Sequence, residues 1–167
     1  MTQHANDTIA KEILETLNSD LVDLNRMLNI LGEERNCLES ADHSKLESYT
    51  EQKSELSHSL DHRAKQRTQK LNSLDLKCGN ASEWKQTLAA LKPTQYGSTI
   101  TATWSKVEHA LNQCDTATQI NEKIVASILQ SARQFIAALR GTDDNSIVYD
   151  ASGRTTNNTG QLEFVQA

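Results

Sequence analysis

His58 and His62 stand four residues apart with Asp61 beside them, a spacing that puts two imidazoles on one helix face, where both could hold a metal ion. The pattern goes no further. No HExxH surrounds the pair and no third ligand is near it, so a solvated helix face is the simpler reading. Cys37, Cys78 and Cys114 are odd in number and widely spaced, with no CxxC pair for a zinc ribbon or a thioredoxin-type site. They read as reduced thiols of a cytosolic protein. Glu33-Glu34 and Asp143-Asp144 offer paired carboxylates for acid–base work, but nothing places a nucleophile or a pocket beside them. GxGxxG, Walker A and GxSxG signatures are absent. The expectation is a chain with no catalytic residue, no metal and no cofactor, and therefore not an enzyme.

The elements that would position these residues are helices. Leu14, Leu17, Leu21, Leu24, Leu28 and Leu31 follow gaps of 3, 4, 3, 4 and 3, a heptad seam that runs on to Leu38 with Arg35 as its interruption. This first helix is expected to start at Asp7 or Thr8, either of which can cap it. After a break at Ser40-Ala41, Asp42 is the expected cap of a second helix carrying Leu46, Tyr49, Lys53, Leu56, Leu60, Leu71 and Leu74. That helix is expected to close at Cys78-Gly79-Asn80, with Gly79 in the left-handed position. Asn80 and Glu83 resemble a capping box for a short helix through Trp84, Leu88 and Leu91, which Pro93 stops before a turn at Tyr96-Gly97-Ser98. The last helix carries Trp104, Val107, Leu111, Cys114, Thr118, Asn121, Val125, Ile128, Ala132, Phe135 and Leu139 at 3–4 spacing. It is expected to end at Arg140-Gly141.

The totals agree with this. The 167 residues suffice for one domain with a core; aromatics are 4% and Pro93 is the single proline, a composition of long helices rather than of a sandwich. A net charge of −5 argues against general nucleic-acid binding, which needs a basic surface. The cationic run at 63–70 reads more simply as a helix face balancing acidic neighbours than as a nucleic-acid or membrane patch. The opening residues carry no apolar h-region, and no stretch approaches the roughly 20 apolar residues of a membrane span, so a cytoplasmic location is expected. The fold class read from this is all-α: an elongated, coiled-coil-like antiparallel bundle of three long helices with a short extra helix. The bundle would occupy residues 1–141, and a flexible polar tail with a docking motif residues 142–167.

Two apolar features exceed what a bundle seam needs. On the last helix, Ile120, Ile124, Leu129 and Ile136 flank the seam and make a stripe wide enough for two neighbours. Either the other helices cover it, or part of it stays open as a groove for a partner's amphipathic helix. In the tail, Ile147-Val148-Tyr149 is an incidental trio, a segment that packs back on the bundle, or a short docking motif.

Three segments together resemble the FlgN-type flagellar export chaperones. They are the acidic leucine-heptad helix at 20–38 ending in Glu33-Glu34, and the segment 46–67 with Thr50-Glu51-Gln52-Lys53-Ser54 followed by Leu56 and Leu60. The third combines Asn121-x-x-Ile124, Leu139-Arg140-Gly141 and Val148-Tyr149-Asp150-Ala151-Ser152-Gly153-Arg154-Thr155. The resemblance implies a cytosolic chaperone of flagellar type III secretion. Its clients would be hook-associated (hook–filament junction) proteins, bound through their C-terminal amphipathic helices. It implies a client site at Ile120, Ile124, Ile128, Leu129, Phe135, Ile136 and Leu139, and docking to an export gate component through Val148, Tyr149 and Gly153. The alternative is a coiled-coil module that associates only with itself.

Overall fold

The computed structural model describes residues 2–40, 42, 44–140, 148–149 and 155–156. They form four helices, α1 (Thr2–Ser40), α2 (Leu46–Asn72), α3 (Ala81–Leu91) and α4 (Gly97–Arg140), followed by a two-residue ladder. The chain is all-α in class. It falls into two compact units, Met1–Val125 and Ala126–Ala167.

In the first unit the leucine heptads are buried where the sequence places them. Leu17, Leu24, Leu31 and Leu38 of α1 are buried, and Leu14, Leu21 and Leu28 pack half-buried beside them. With Ala10 and Ile13, this face meets Leu71, Trp84, Leu91, Ile100, Val107, Ala110 and Cys114 in the main core. Ile30, Cys37, Tyr49 and Leu56 form a second cluster between α1 and α2. Ion pairs fix the sense of approach: Glu12–Lys70, Asp20–Arg67 and Glu34–Lys53 run in opposite sequence directions along α1 and α2. Between α1 and α4, Leu24–Cys114 and Leu31–Asn121 run in the same direction, and Asp7 accepts from the Gln95 N–H in the connection just before α4.

Three of the four cations at 63–70, Arg63, Arg67 and Lys70, pair with carboxylates of α1. Arg63 Nε donates to Asp20 Oδ1 at 2.6 Å and its Nη2 to Asp23 Oδ2 at 2.5 Å. Arg67 Nη1 donates to the other oxygen of Asp20. Asp20 is 2% exposed and Arg67 9%, so the pair is held inside the helix interface rather than on its rim. Burial alone would lower the pKa of Arg63, but the hydrogen bonds from Asp20 and Asp23 outweigh it and the net shift is upward.

The seam of α4 keeps the expected Val107, Cys114 and Asn121, but its alternate positions lie one residue before the expected Trp104, Leu111 and Thr118. Ile100, Thr103, Val107, Ala110, Cys114 and Asn121 are buried and Ala117 packs against them half-buried, whereas Leu111 and Thr118 are exposed. Small side chains stand at 103, 110 and 117 on this face, and Arg35 Nη2 donates to the Ala117 carbonyl at 3.3 Å. Three helix ends also differ from expectation. α1 begins at Thr2, not at Asp7 or Thr8. α2 has Lys45 at its N-cap without a side-chain bond, while Asp42 instead accepts from the backbone N–H of Ser44 at 3.1 Å and from its hydroxyl at 2.7 Å. α2 closes at Asn72, and the left-handed residue after it is Asp75, with φ 57°, rather than Gly79. The expected capping box exists in a displaced form. Asn80 Oδ1 accepts from Glu83 N–H at 2.9 Å, and Glu83 Oε2 accepts from Gly79 N–H at 2.8 Å. Gly97 opens α4 instead of making a turn, and a Cβ there would lie 2.4 Å from the Leu91 carbonyl oxygen.

In the second unit α4 runs on to Arg140, a cation at the negative end of the helix dipole. Val148–Tyr149 pairs antiparallel with Thr155–Thr156, Val148 opposite Thr156 and Tyr149 opposite Thr155. The flexibility expected of the tail, Gly141 and Ile147 all lie outside the described residues. Among the described residues no helix is long and apolar enough to cross a membrane.

Candidate partner-binding face

A continuous helix of 44 residues advances each side chain by about 100°, so its faces can be followed end to end. Val107, Cys114 and Asn121 define the buried face of α4. In the second unit Ile128, Phe135, Ile136 and Leu139 fall within about 50° of one midline by helical geometry. Ile128 and Ile136 are exposed, Phe135 is 66% exposed and Leu139 72%. An apolar face this long and this open is the usual mark of an interaction surface.

The remaining expected members divide. Ile124 and Leu129 flank the strip at about 70° on either side; Leu129 is exposed and Ile124 half-buried. Ile120 lies about 110° round the helix from the midline. It lines instead a hollow of about 370 Å³ with Arg35, His109 and Thr116. Val148 and Tyr149 occupy one strand of the short ladder, and Gly153 lies outside the described residues.

In the first unit the buried face of α4 carries a polar cluster at Asn121. Asn121, only 5% exposed, donates through Nδ2 to the Leu31 carbonyl and to Glu34 Oε2, each at 2.9 Å. Its Oδ1 accepts from Arg35 Nε at 3.0 Å. Lys53 Nζ donates to the second oxygen of Glu34 at 2.6 Å. Two polar residues that interrupt apolar seams in the sequence, Arg35 and Asn121, thus satisfy each other. The spacing flags each residue separately; their meeting is a fact of tertiary register.

The residues with latent chemistry are not gathered into a site. His58 is exposed on α2, and His62 meets Gln66 at 2.9 Å while Asp61 pairs with Lys65 at 2.6 Å. No group of three or more His, Cys, Asp or Glu among the described residues is placed to hold a metal. Cys37, Cys78 and Cys114 are free thiols, and burial raises the pKa of Cys114. What sequence reasoning missed are the buried Asp20 carboxylate, visible only as a polar residue inside a leucine seam, and the pairing of Trp84 with Trp104, whose ring centroids are 4.6 Å apart.

The class defined so far is an all-helical protein that offers an open apolar helix face, without an assembled catalytic constellation among the described residues. The sequence model of the FlgN protein matches residues 1–157, and the chain belongs to the FlgN family, the flagellar export chaperones. No curated protein and no solved structure matches it.

Proposed function

We propose that this chain is a cytoplasmic chaperone of flagellar type III export that binds the C-terminal amphipathic helices of hook-associated proteins and delivers them to the export gate. The client helix lies on the open face of α4, against Ile124, Ile128, Leu129, Phe135, Ile136 and Leu139, with Ile120 at its margin. Val148, Tyr149 and Gly153 dock to the gate component. The three long helices form an up-down-up antiparallel bundle over residues 1–141, with the tail 142–167 as a separate functional segment. The observation that carries this reading is the exposed apolar face that Ile128, Leu129, Phe135, Ile136 and Leu139 make on the second unit's helix. Family membership supplies the chaperone role.

The physical logic is short. A free amphipathic helix of an export subunit exposes an apolar seam and self-associates. A complementary face shields that seam, and the ordering cost of coupled folding keeps affinity moderate enough for release. No nucleotide is needed for such a cycle. The same face also favours a second reading, association of two copies through their own strips.

One experiment separates them: calorimetric titration of the C-terminal helix peptide of a hook–filament junction protein into the full chain, into the Phe135→Ala/Ile136→Ala variant, and into a chain lacking residues 142–167. Saturable one-to-one binding, weakened about tenfold or more by the double substitution, is the expected result. It corresponds to about 1.4 kcal/mol or more. Retention of binding without the tail assigns 142–167 to another contact. Absence of peptide binding together with concentration-dependent dimers in sedimentation would replace the chaperone reading by the self-associating one.

A further inference from the structure

The apolar strip of the second unit has a charged border on one side only. From Ala126 to Arg140 the sequence holds two charged residues, Arg133 and Arg140, and no carboxylate, in a chain whose net charge is −5. Both arginines are exposed. They stand seven residues apart, about 10 Å along the helix, and each lies about 100° from the midline of the strip, on the side of Leu129 and Ile136. The opposite border, with Ser127, Ser131 and Ala138, is uncharged. Arg140 is in the last turn, where the helix dipole accommodates a cation. Arg133 is two turns earlier, beyond the dipole's reach. Among the described residues neither arginine forms an ion pair.

This border discriminates between occupants of the strip. In paired helices the residues flanking the apolar seam select the partner and its direction by charge. A second copy of the strip brings the same two cations and no carboxylate. Two copies therefore gain nothing at the border, and running antiparallel they set like charges against each other. A neutral amphipathic helix covers the strip but leaves the arginines unused. A helix with Asp or Glu at two flanking positions seven residues apart covers the strip and meets both guanidinium groups, whose planar fork suits a carboxylate. Because one border alone is charged, a partner with a single acidic edge matches it in one direction only.

We propose that the exposed face of α4 selects an amphipathic helix whose apolar seam is bordered on one side by carboxylates seven residues apart, which pair with Arg133 and Arg140. This rests on the reading of that face as the client site.

Calorimetry on the full chain tests it with three designed amphipathic peptides that share one leucine seam and carry glutamate, glutamine or lysine at the two border positions. The glutamate peptide is expected to bind about fivefold more tightly than the glutamine peptide, the scale of two exposed ion pairs, and the lysine peptide most weakly. The advantage should vanish at about 1 M salt, where charges are screened beyond roughly 3 Å. Arg133→Gln/Arg140→Gln, at two exposed positions, is expected to bring the glutamate peptide down to the glutamine peptide while helical circular dichroism is retained. Arg133→Glu/Arg140→Glu should reverse the order in favour of lysine. Equal affinities of the glutamate and glutamine peptides, both weakened by Phe135→Ala/Ile136→Ala, would overturn the selectivity and leave the docking face standing. The same result is expected if Asp143 and Asp144 of the chain itself hold the arginines. A glutamate preference that survives Arg133→Gln/Arg140→Gln overturns the pairing. Binding of none of the three peptides overturns the docking face and the selectivity with it.

Discussion

Asp20 sits in the middle of a leucine seam, and its neighbours explain how a carboxylate survives there. Arg63 and Arg67 occupy both of its oxygens from the facing helix. Such a network is weak support for stability when intact, but removing one partner strands the other as a buried charge. Asp20→Asn keeps the shape and deletes the charge, and urea denaturation should show a loss of about 3–5 kcal/mol. Tyr49 makes a second residue-level case. Burial raises its hydroxyl pKa to about 12, helped by Cys37 and Glu33 beside it. Because the folded value lies above the ordinary 10.0, the unfolded chain loses this proton first. The contribution to stability is therefore complete below pH 10 and is lost as the pH climbs from 10 to 12. Absorbance titration at 295 nm should show a late-ionising tyrosine that disappears in Tyr49→Phe, with the unfolding midpoint falling over the same interval. A single early transition for all three tyrosines would contradict the burial of this ring.

Elements respond differently to the same substitution according to what their backbone touches. Gly32, inside α1, has open space where a Cβ would stand. Gly32→Ala should raise stability by about 1 kcal/mol through helix propensity alone. Gly97, at the first turn of α4, would bring its Cβ within 2.4 Å of the Leu91 carbonyl and 2.6 Å of Lys92 Cα, both backbone atoms that cannot swing away. Gly97→Ala should lower stability by about 1–3 kcal/mol, as overpacking does. Paired chemical denaturation of the two variants checks the opposite signs. Half of the α1 heptad is legible in the sequence: Leu17, Leu24, Leu31 and Leu38 stand at every seven-residue step and are buried, whereas Leu14, Leu21 and Leu28 are half-buried and Ile13 and Asp20 beside the first two take the sealed places. The α4 seam was legible only to within one residue. Leu111 and Trp104 are the larger side chains, yet Ala110 and Thr103 are the buried ones, and a 3–4 periodicity does not distinguish two adjacent positions. The end of α2 was misplaced by several residues for a related reason. Gly79 is the better intrinsic left-handed residue, yet Asp75 takes that conformation, and the peptide groups of 74–76 close back on Leu71 and Asn72.

At the scale of the molecule, the open part of α4 sets stability and binding apart. Phe135 and Leu139 keep most of their surface in solvent, so Phe135→Ser and Leu139→Ser should leave the unfolding free energy within about 0.5 kcal/mol of the parent. The same changes should weaken the client peptide in calorimetry and reduce any dimer in sedimentation. A large loss of stability instead would mean that this segment is covered in solution. The width of the strip was readable from Ile124, Leu129 and Ile136. Whether neighbours cover it was not, because amphipathicity is the same for a face that packs and a face that waits. The pairing of Trp84 with Trp104 is not readable from periodicity, since the two rings come from separate helices.

The cluster around Asn121 has a consequence for error correction. Leucine heptads are nearly periodic, and two such helices can pair almost as well after sliding by seven residues, which gives an assembling chain several mistaken alignments of similar apolar content. A slide of that size would carry Cys114 or Ile128 to the place where Asn121 meets the Leu31 carbonyl, Glu34 and Arg35, and would break all three of those hydrogen bonds. One asparagine therefore proofreads the alignment of two leucine-type repeats.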